Sequence, residues 1–536
     1  MRTIMYQDVN LYASEVEVLR LLEVQIEKPI PQVAEVYGGG FGFTAEHNHV
    51  TGLELSEQDL NSLPESFGNL NHLKTLYLYE NELNVLPESF GRLTSLQTLS
   101  LAYNQLSSLP ESFGNLTRLE DLGLDYNRLD SLPETFGDLV NLQRLDLRFN
   151  QLNSLPESFR RLTNLEILLL TDNPLNFLPE WFGQLTELRE LWLVSNQLRS
   201  LPESFSNLIH LQKLYLFSNQ LSFLPEWFGQ LTELRELWLS SNPIGSLPES
   251  FGNLQNLEIL WLHNNQLSSL PKSFFQLKNL QKLCLETNKF TSLPESFENL
   301  QNLATLWLNR NELRSLPEWF GNLRSLNYLN LRVNQLRSLP ESFGCLSNLQ
   351  RLYLEANQLT SLPESFGNLQ NLVELYLHKN KLHSLPETFG QLTQLIGLDL
   401  HENQLNSLPE SFGQLTNLKR LYLRNNKLKS LPESFGQLTR LDALNLSGNL
   451  FHKASLADQL GLLWLSHKIW YLKYYLEHRA PDTLNHPLIQ GLDRKSLKRL
   501  DNQFCSYCGV SGVVQGVEKE SGQERVFCPH CENTIS

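Results

Sequence analysis

The chain has 536 residues, with 43 Lys and Arg against 58 Asp and Glu, for a formal net charge of −15. That length supports a large buried core, no run of 18 apolar residues marks a membrane-spanning helix, and the opening MRTIMYQDVN lacks the apolar stretch of a secretory signal. Of six cysteines, four crowd towards the C-terminus while Cys284 and Cys345 stand alone; this is not a disulfide framework, and a reducing, cytoplasmic setting is expected.

Residues 1–52 read as an N-terminal cap. Ser14–Glu27 carries Val16, Leu19, Leu22, Val24 and Ile26 at mostly helical spacing, and Pro29 and Pro31 end the helix. FGFTAEHNHVTGLEL then alternates about a His47-Asn48 turn, the pattern of a hairpin. Gly38-Gly39-Gly40 lacks the GK[ST] or GxGxxG context of a phosphate cradle. The segment is better explained as a cover for the open edge of the repeat array that begins at residue 53.

From 53 to 451 one 23-residue unit repeats without a slip: LxxLxLxxNxLxxLPESFGxLxx, cleanly written in Leu73–Ser95. Its proline recurs 17 times from Pro64 to Pro432, its asparagine 17 times from Asn81 to Asn449 and its phenylalanine 17 times from Phe67 to Phe435. A fixed period of this length specifies a solenoid. LxxLxLxx alternates with period 2 and predicts a short strand with one face buried, Leu76 and Leu78 inward and Thr75, Tyr77 and Tyr79 outward. Asn81 turns the chain, its amide supplying both donor and acceptor to stranded peptide groups of its own and neighbouring coils. Gln58, in that slot of the first copy, marks the edge.

LPESFGxL predicts an outer helical or 3₁₀ turn with Pro87 at its first position, Glu88 favoured by the dipole of that turn, Phe90 filling the back wall and Gly91 relaxing the bend. Ordering one such unit costs more than its own burial returns, so only stacking stabilises it. About 18 coils spaced as adjacent strands are would span roughly 85 Å.

This pattern resembles the leucine-rich repeat family, in its intracellular 23-residue LPxxF class. The resemblance implies an α/β solenoid, a horseshoe with a parallel concave sheet, and a Ras-binding scaffold type of role, so a protein partner is expected, a small GTPase or another signalling component among the candidates.

The residue after the repeat proline is Glu in 16 of 17 copies, Lys272 being the exception, and the other 42 acids balance the 43 bases. The acidity is thus a ladder along one rim, explained by stabilisation of each turn. Phe177–Leu193 and Phe223–Leu239 are identical over 17 residues, the trace of a duplicated two-repeat unit. Variation concentrates at the outward strand positions. The column running through Tyr77 holds Trp192, Tyr215, Trp238, Trp261, Cys284, Trp307, Tyr353 and Tyr376, flanked by Phe217, His263 and Tyr328.

Charged neighbours of both signs, Glu190, Lys213, Glu236, Lys282, Arg332, Arg351 and Glu374, surround them. Aromatic anchors ringed by mixed charge are what protein interfaces use, so these ten aromatic and histidine positions are the candidate partner-binding residues. High strand propensity and copying of one Trp compete with that reading. The balance of charge argues against nucleic acid on this face. His72, His210, His378 and His401 are expected to be solvated, and no nucleophile, base or paired-carboxylate set points to an enzyme.

The repeat fails after Asn449. Residues 452–503 predict a helical cap, opened by a Ser455/Asp458 capping box, with a second helix around Leu492–Phe504 bearing Arg494, Lys495, Lys498 and Arg499. Residues 504–536 carry Cys505, Cys508, Cys528 and Cys531 as CxxC-x19-CxxC, two knuckles joined by a hairpin, which resembles a zinc ribbon holding a structural Zn2+. The reading is a non-enzymatic cytosolic scaffold. Its alternative is a nucleic-acid-associated or regulatory factor acting through the ribbon and the basic helix, with the solenoid as spacer.

Overall fold

The computed structural model describes residues 2–451 and three short strands beyond them. The chain opens with a hairpin that the sequence did not announce: β1 (Thr3–Tyr6) pairs antiparallel with β2 (Val9–Tyr12). Gln7 and Asp8 both take positive φ, the tight turn whose twist suits a two-residue loop. Helix α1 (Ala13–Ile26) follows and stops at Glu27, φ 54°, ahead of Pro29.

Its buried Glu15 accepts from the Val50 N–H at 2.7 Å and lies 2.6 Å from His49 Nδ1, tying the helix to the next hairpin. That hairpin is β3 (Gly42–Glu46) and β4 (His49–Glu54), turning at His47-Asn48 as expected. The Gly38 N–H donates to Glu54 Oε2 at 2.8 Å, so the glycine run serves a carboxylate of the chain itself.

β4 is also the first rung of the solenoid, pairing parallel with β5 (Thr75–Tyr77). Three-residue strands then recur every 23 residues to β21 (Ala443–Asn445), each in parallel register with the next, and β3 adds one antiparallel strand at the start. Each strand's middle leucine is fully buried or nearly so, and 17 five-residue 3₁₀ turns line the opposite wall. The horseshoe with a parallel concave sheet is therefore the observed architecture.

Each asparagine bridges two coils. Asn219 Nδ2 donates to Leu193 O (2.7 Å) in the preceding coil and Leu216 O (3.0 Å) in its own, and Oδ1 accepts from the Leu198 N–H at 3.1 Å. Gln58 reaches only its own turn, donating to Glu57 O at 2.8 Å, and relies on Asn81 Oδ1 for its N–H. The residue before each repeat asparagine is left-handed in every coil, from Glu80 (φ 55°) to Asn425 (φ 56°), and only the last, Gly448, is a glycine.

The back wall corrects two expectations and extends a third. The repeat proline precedes the 3₁₀ turn instead of opening it: Pro87 is extended (φ −68°, ψ 151°), and its carbonyl accepts from the Phe90 N–H at 2.9 Å. The glutamates open their own turns as expected and also act on the next coil's turn: Glu226 Oε2 accepts from the Ser250 N–H at 3.0 Å, which holds its carboxyl below the usual range. Serines and threonines of that next turn donate back to the glutamate carbonyl, as Ser112 Oγ does to Glu88 O at 2.7 Å. The Glu ladder is thus a coupling between coils. Gly91 is required by proximity, since a Cβ there would lie 2.2 Å from Ser112 O.

Where that glycine is absent, the wall is built differently. Phe rings normally stack at 5.8–6.2 Å down the array. Arg160, Ser206 and Glu298 replace Gly, and the small residue that would face each one in the next coil is then Trp181, Trp227 or Trp319. Each of these tryptophans inserts between two phenylalanines: Trp227 lies 6.1 Å from Phe205 and 6.0 Å from Phe228, and Trp181 and Trp319 do the same. Phe275, the fourth replacement, itself lies between Phe274 and Phe297.

Beyond residue 451 the described strands are β22 (Val517–Glu518), β23 (Arg525–Phe527) and β24 (Thr534–Ile535), a small antiparallel sheet with Val517 opposite Val526. Of the hairpin expected between the two CxxC knuckles (Val510–Val517 and Glu524–Phe527), the antiparallel pairing of β22 with β23 is described, and the rest of it lies outside the described residues. The two predicted C-terminal helices and the four cysteines lie outside the described residues. Among the described residues, no helix is long and apolar enough to cross a membrane.

Candidate functional site

Period 2 sends the residues flanking each buried leucine onto the concave face. The register then sets Trp192, Tyr215, Trp238, Trp261, Cys284, Trp307, Asn330, Tyr353 and Tyr376 in one file across consecutive strands. Seven of the predicted residues form a continuous chain of rings with Tyr328. Centroid separations run 4.2 Å from Trp192 to Tyr215, 5.5 Å to Trp238 and 5.3 Å to Trp261. They continue at 5.0 Å to Trp307, 5.2 Å to Tyr328, 5.3 Å to Tyr353 and 4.8 Å to Tyr376.

Phe217 joins at 5.6 Å from Trp238, and His263 meets Trp261 edge-on at 5.8 Å. All ten predicted positions are therefore brought together.

They are less open than outward alternation implied. The rings face away from the leucines, yet they cover one another: Tyr215 is 6% exposed and the rest are half-buried. Trp261 and Trp307 sit two strands apart and still lean to contact over Cys284, whose small side chain leaves the space. The thiol is 1% exposed, and burial pushes it up to about 12.

Polar edges are satisfied locally. Trp192 Nε1 donates to Glu190 Oε1 at 2.7 Å and Trp238 Nε1 to Glu236 Oε1 at 2.8 Å. His263 Nδ1 lies 2.8 Å from Ser240 Oγ, and burial pulls its imidazole down. Burial also raises the phenols, Tyr353 to about 12, with Tyr376 raised further by Glu374. A neutral, preorganised aromatic surface results, with the charges paired at its margin: Lys213 with Glu190, Arg332 with Glu355, Arg420 with Glu374.

Past Tyr376 the file changes character. His378 and His401 are not solvated as expected; they stack on each other at 4.3 Å and both turn Nδ1 towards Asp399, with side chains 19% and 25% exposed. His378 Nδ1 lies 3.3 Å from Asp399 Oδ2 and His401 Nδ1 2.6 Å from Oδ1. Burial alone would raise the Asp399 carboxyl, but the two imidazoles outweigh it and hold the group down at about 2. Reading each column separately hid this cluster. It appears only when the Asp399 column is set beside the His378–His401 column. His210, by contrast, is exposed as expected, and His72 is exposed but stacks on His49.

Known proteins share this repeat. A family model described as leucine-rich repeat region matches residues 12–125, 113–227, 222–317 and 315–395, and a second, leucine rich repeat, matches 397–451. Among solved structures, a leucine-rich repeat protein of Leptospira interrogans is 35% identical at a TM-score of 0.59, with 78% of this chain and 94% of that chain covered. The ectodomain of the Arabidopsis thaliana receptor kinase GASSHO1/SCHENGEN3, solved with CASPARIAN STRIP INTEGRITY FACTOR 2, is 31% identical at 0.58, covering 76% of this chain and 57% of that one. YopM from Yersinia enterocolitica is 29% identical at 0.52, covering 75% and 88%. No curated protein matches the chain.

Proposed function

Because the chain belongs to the leucine-rich repeat family, we propose that it is a protein-binding scaffold, not an enzyme, whose folded partner docks on the concave rings from Trp192 to Tyr376. The observation that carries this reading is the unbroken ring chain. Large aromatic surface already held in place gives up little side-chain entropy on binding, and such residues dominate interface energetics. The paired charges at the margin set register more than affinity. The resemblance to the 23-residue LPxxF class puts a small GTPase or another signalling component first among partner classes.

A cytoplasmic setting follows from the cysteine usage. A structural Zn2+ on Cys505, Cys508, Cys528 and Cys531 completes the reading, because four thiolates favour a closed tetrahedral site.

The test compares capture by the intact chain with capture by a Trp238→Ala/Trp261→Ala variant of matched thermal stability. Loss of a folded partner by the variant is expected. Identical capture by both would overturn concave docking and turn attention to the C-terminal module.

A further inference from the structure

The geometry points to a second kind of site on the same face: His378, Asp399 and His401 form a binding site for a divalent transition metal of the zinc class. The three residues come from two adjacent coils and converge because Asp399 lies two residues before His401 and one register step beyond Tyr376. One donor atom from each falls within 4.8 Å of the other two. Donors on a tetrahedral ion with bonds of about 2.0–2.2 Å stand roughly 3.3–3.5 Å apart, and His378 Nδ1 and Asp399 Oδ2 are already at 3.3 Å.

Two unsatisfied atoms ask for a cation here. His378 Nδ1 is buried without a hydrogen-bond partner although it faces a carboxylate oxygen. If it bears no proton, two lone pairs oppose each other, and a metal ion between them removes the conflict. Glu355, one coil earlier in the His378 column, is 4% exposed, and its Oε2 likewise lacks a partner. Arg332 Nε reaches only the other oxygen, at 3.4 Å. Arg332 offsets only part of the cost of burying that carboxylate, and an ion at the cluster adds to that offset.

Two imidazoles with one carboxylate favour Zn2+ and its neighbours over Mg2+ or Ca2+, which prefer all-oxygen sets. Three protein ligands leave a coordination position for water or for a ligand from outside the chain.

The test is histidine modification by diethyl pyrocarbonate on the full chain, with and without Zn2+, read peptide by peptide by mass spectrometry. At ten times the dissociation constant, about a tenfold fall in modification of His378 and His401 is expected, since only the unfilled fraction reacts. His210 and His383, both exposed, should react unchanged, and Mg2+ should protect nothing. The readout is site-resolved, so an ion held by the C-terminal cysteines does not register at these histidines.

In Asp399→Asn and His401→Gln, Zn2+ should no longer protect His378. Unaltered modification of the wild-type histidines at saturating Zn2+ would overturn the site, and so would persistent protection of His378 in folded His401→Gln. The wild-type comparison needs no variant to fold.

Discussion

Asn219→Ala tests the coupling that makes the coils one structure. The side chain is 7% exposed and serves three backbone groups in two coils: Leu193 O, Leu216 O and the Leu198 N–H. Alanine strands Leu193 O and the Leu198 N–H, while Leu216 O keeps a donor in Asn242 Nδ2 at 3.0 Å, and a buried polar group left unpaired costs about 1–3 kcal/mol. Two such groups and partial relaxation bring the expected loss to roughly 2–4 kcal/mol. Because each coil touches only its neighbours, the loss should also be local, weakening the junction between the β10 (Glu190–Trp192) and β11 (Lys213–Tyr215) coils.

Urea unfolding by circular dichroism and native-state hydrogen exchange at the Leu198 amide measure the two effects. Earlier unfolding and faster exchange at Leu198 are expected. Asn219→Asp should be at least as damaging at neutral pH, since it keeps the acceptor but turns an anionic oxygen towards two carbonyls. The exposed Ser222→Ala is the control and should stay within about 0.5 kcal/mol. A loss below about 1 kcal/mol in Asn219→Ala, with Leu198 still protected, would refute the bridging account.

The inserted tryptophans should couple to the missing glycines. Trp227→Ser alone leaves a gap between Phe205 and Phe228 and should cost roughly 2–4 kcal/mol, whereas adding Ser206→Gly lets the turns close as in most coils. The double variant should therefore be less destabilised than the sum, and additivity within about 0.5 kcal/mol in urea melts would rule this out. Asp125 is raised to about 6, first by burial and then by Asp146. Its folded value exceeds its unfolded one, so its stabilising effect is full below about pH 4 and is lost as pH rises through 6. Asp125→Asn should accordingly gain about 1–2 kcal/mol at pH 8 and nothing near pH 4, and an equal gain at both would contradict it.

The period made most of this fold legible. Leucine alternation, the asparagine turn and the phenylalanine wall are each a local rule repeated 17 times, and repetition turns weak signals into a firm assignment. What stayed hidden was contact between coils. That Gly91 answers to Ser112, or Glu226 to Ser250, is a relation across 21 to 24 residues, invisible within one copy. The β1–β2 hairpin was missed because its turn is Gln7-Asp8, without the glycine or asparagine that usually marks positive φ. On the concave face the aromatic file was readable from one column, but mutual burial was not, and the His378–Asp399–His401 cluster required two columns at once.

The four inserted aromatic rings have a geometric consequence. Hydrogen bonds fix strand spacing at about 4.8 Å, while ordinary back-wall rings sit near 6 Å, so over a depth of about 10 Å each coil tilts by roughly 7° relative to the last. Trp181, Trp227, Phe275 and Trp319 widen only the outer side, behind strands between Asp146 and Trp307. The radius of the arc is then not constant. It is shortest behind the tryptophans Trp192, Trp238, Trp261 and Trp307, so the surface offered there is a cupped recess, with flatter flanks towards both ends.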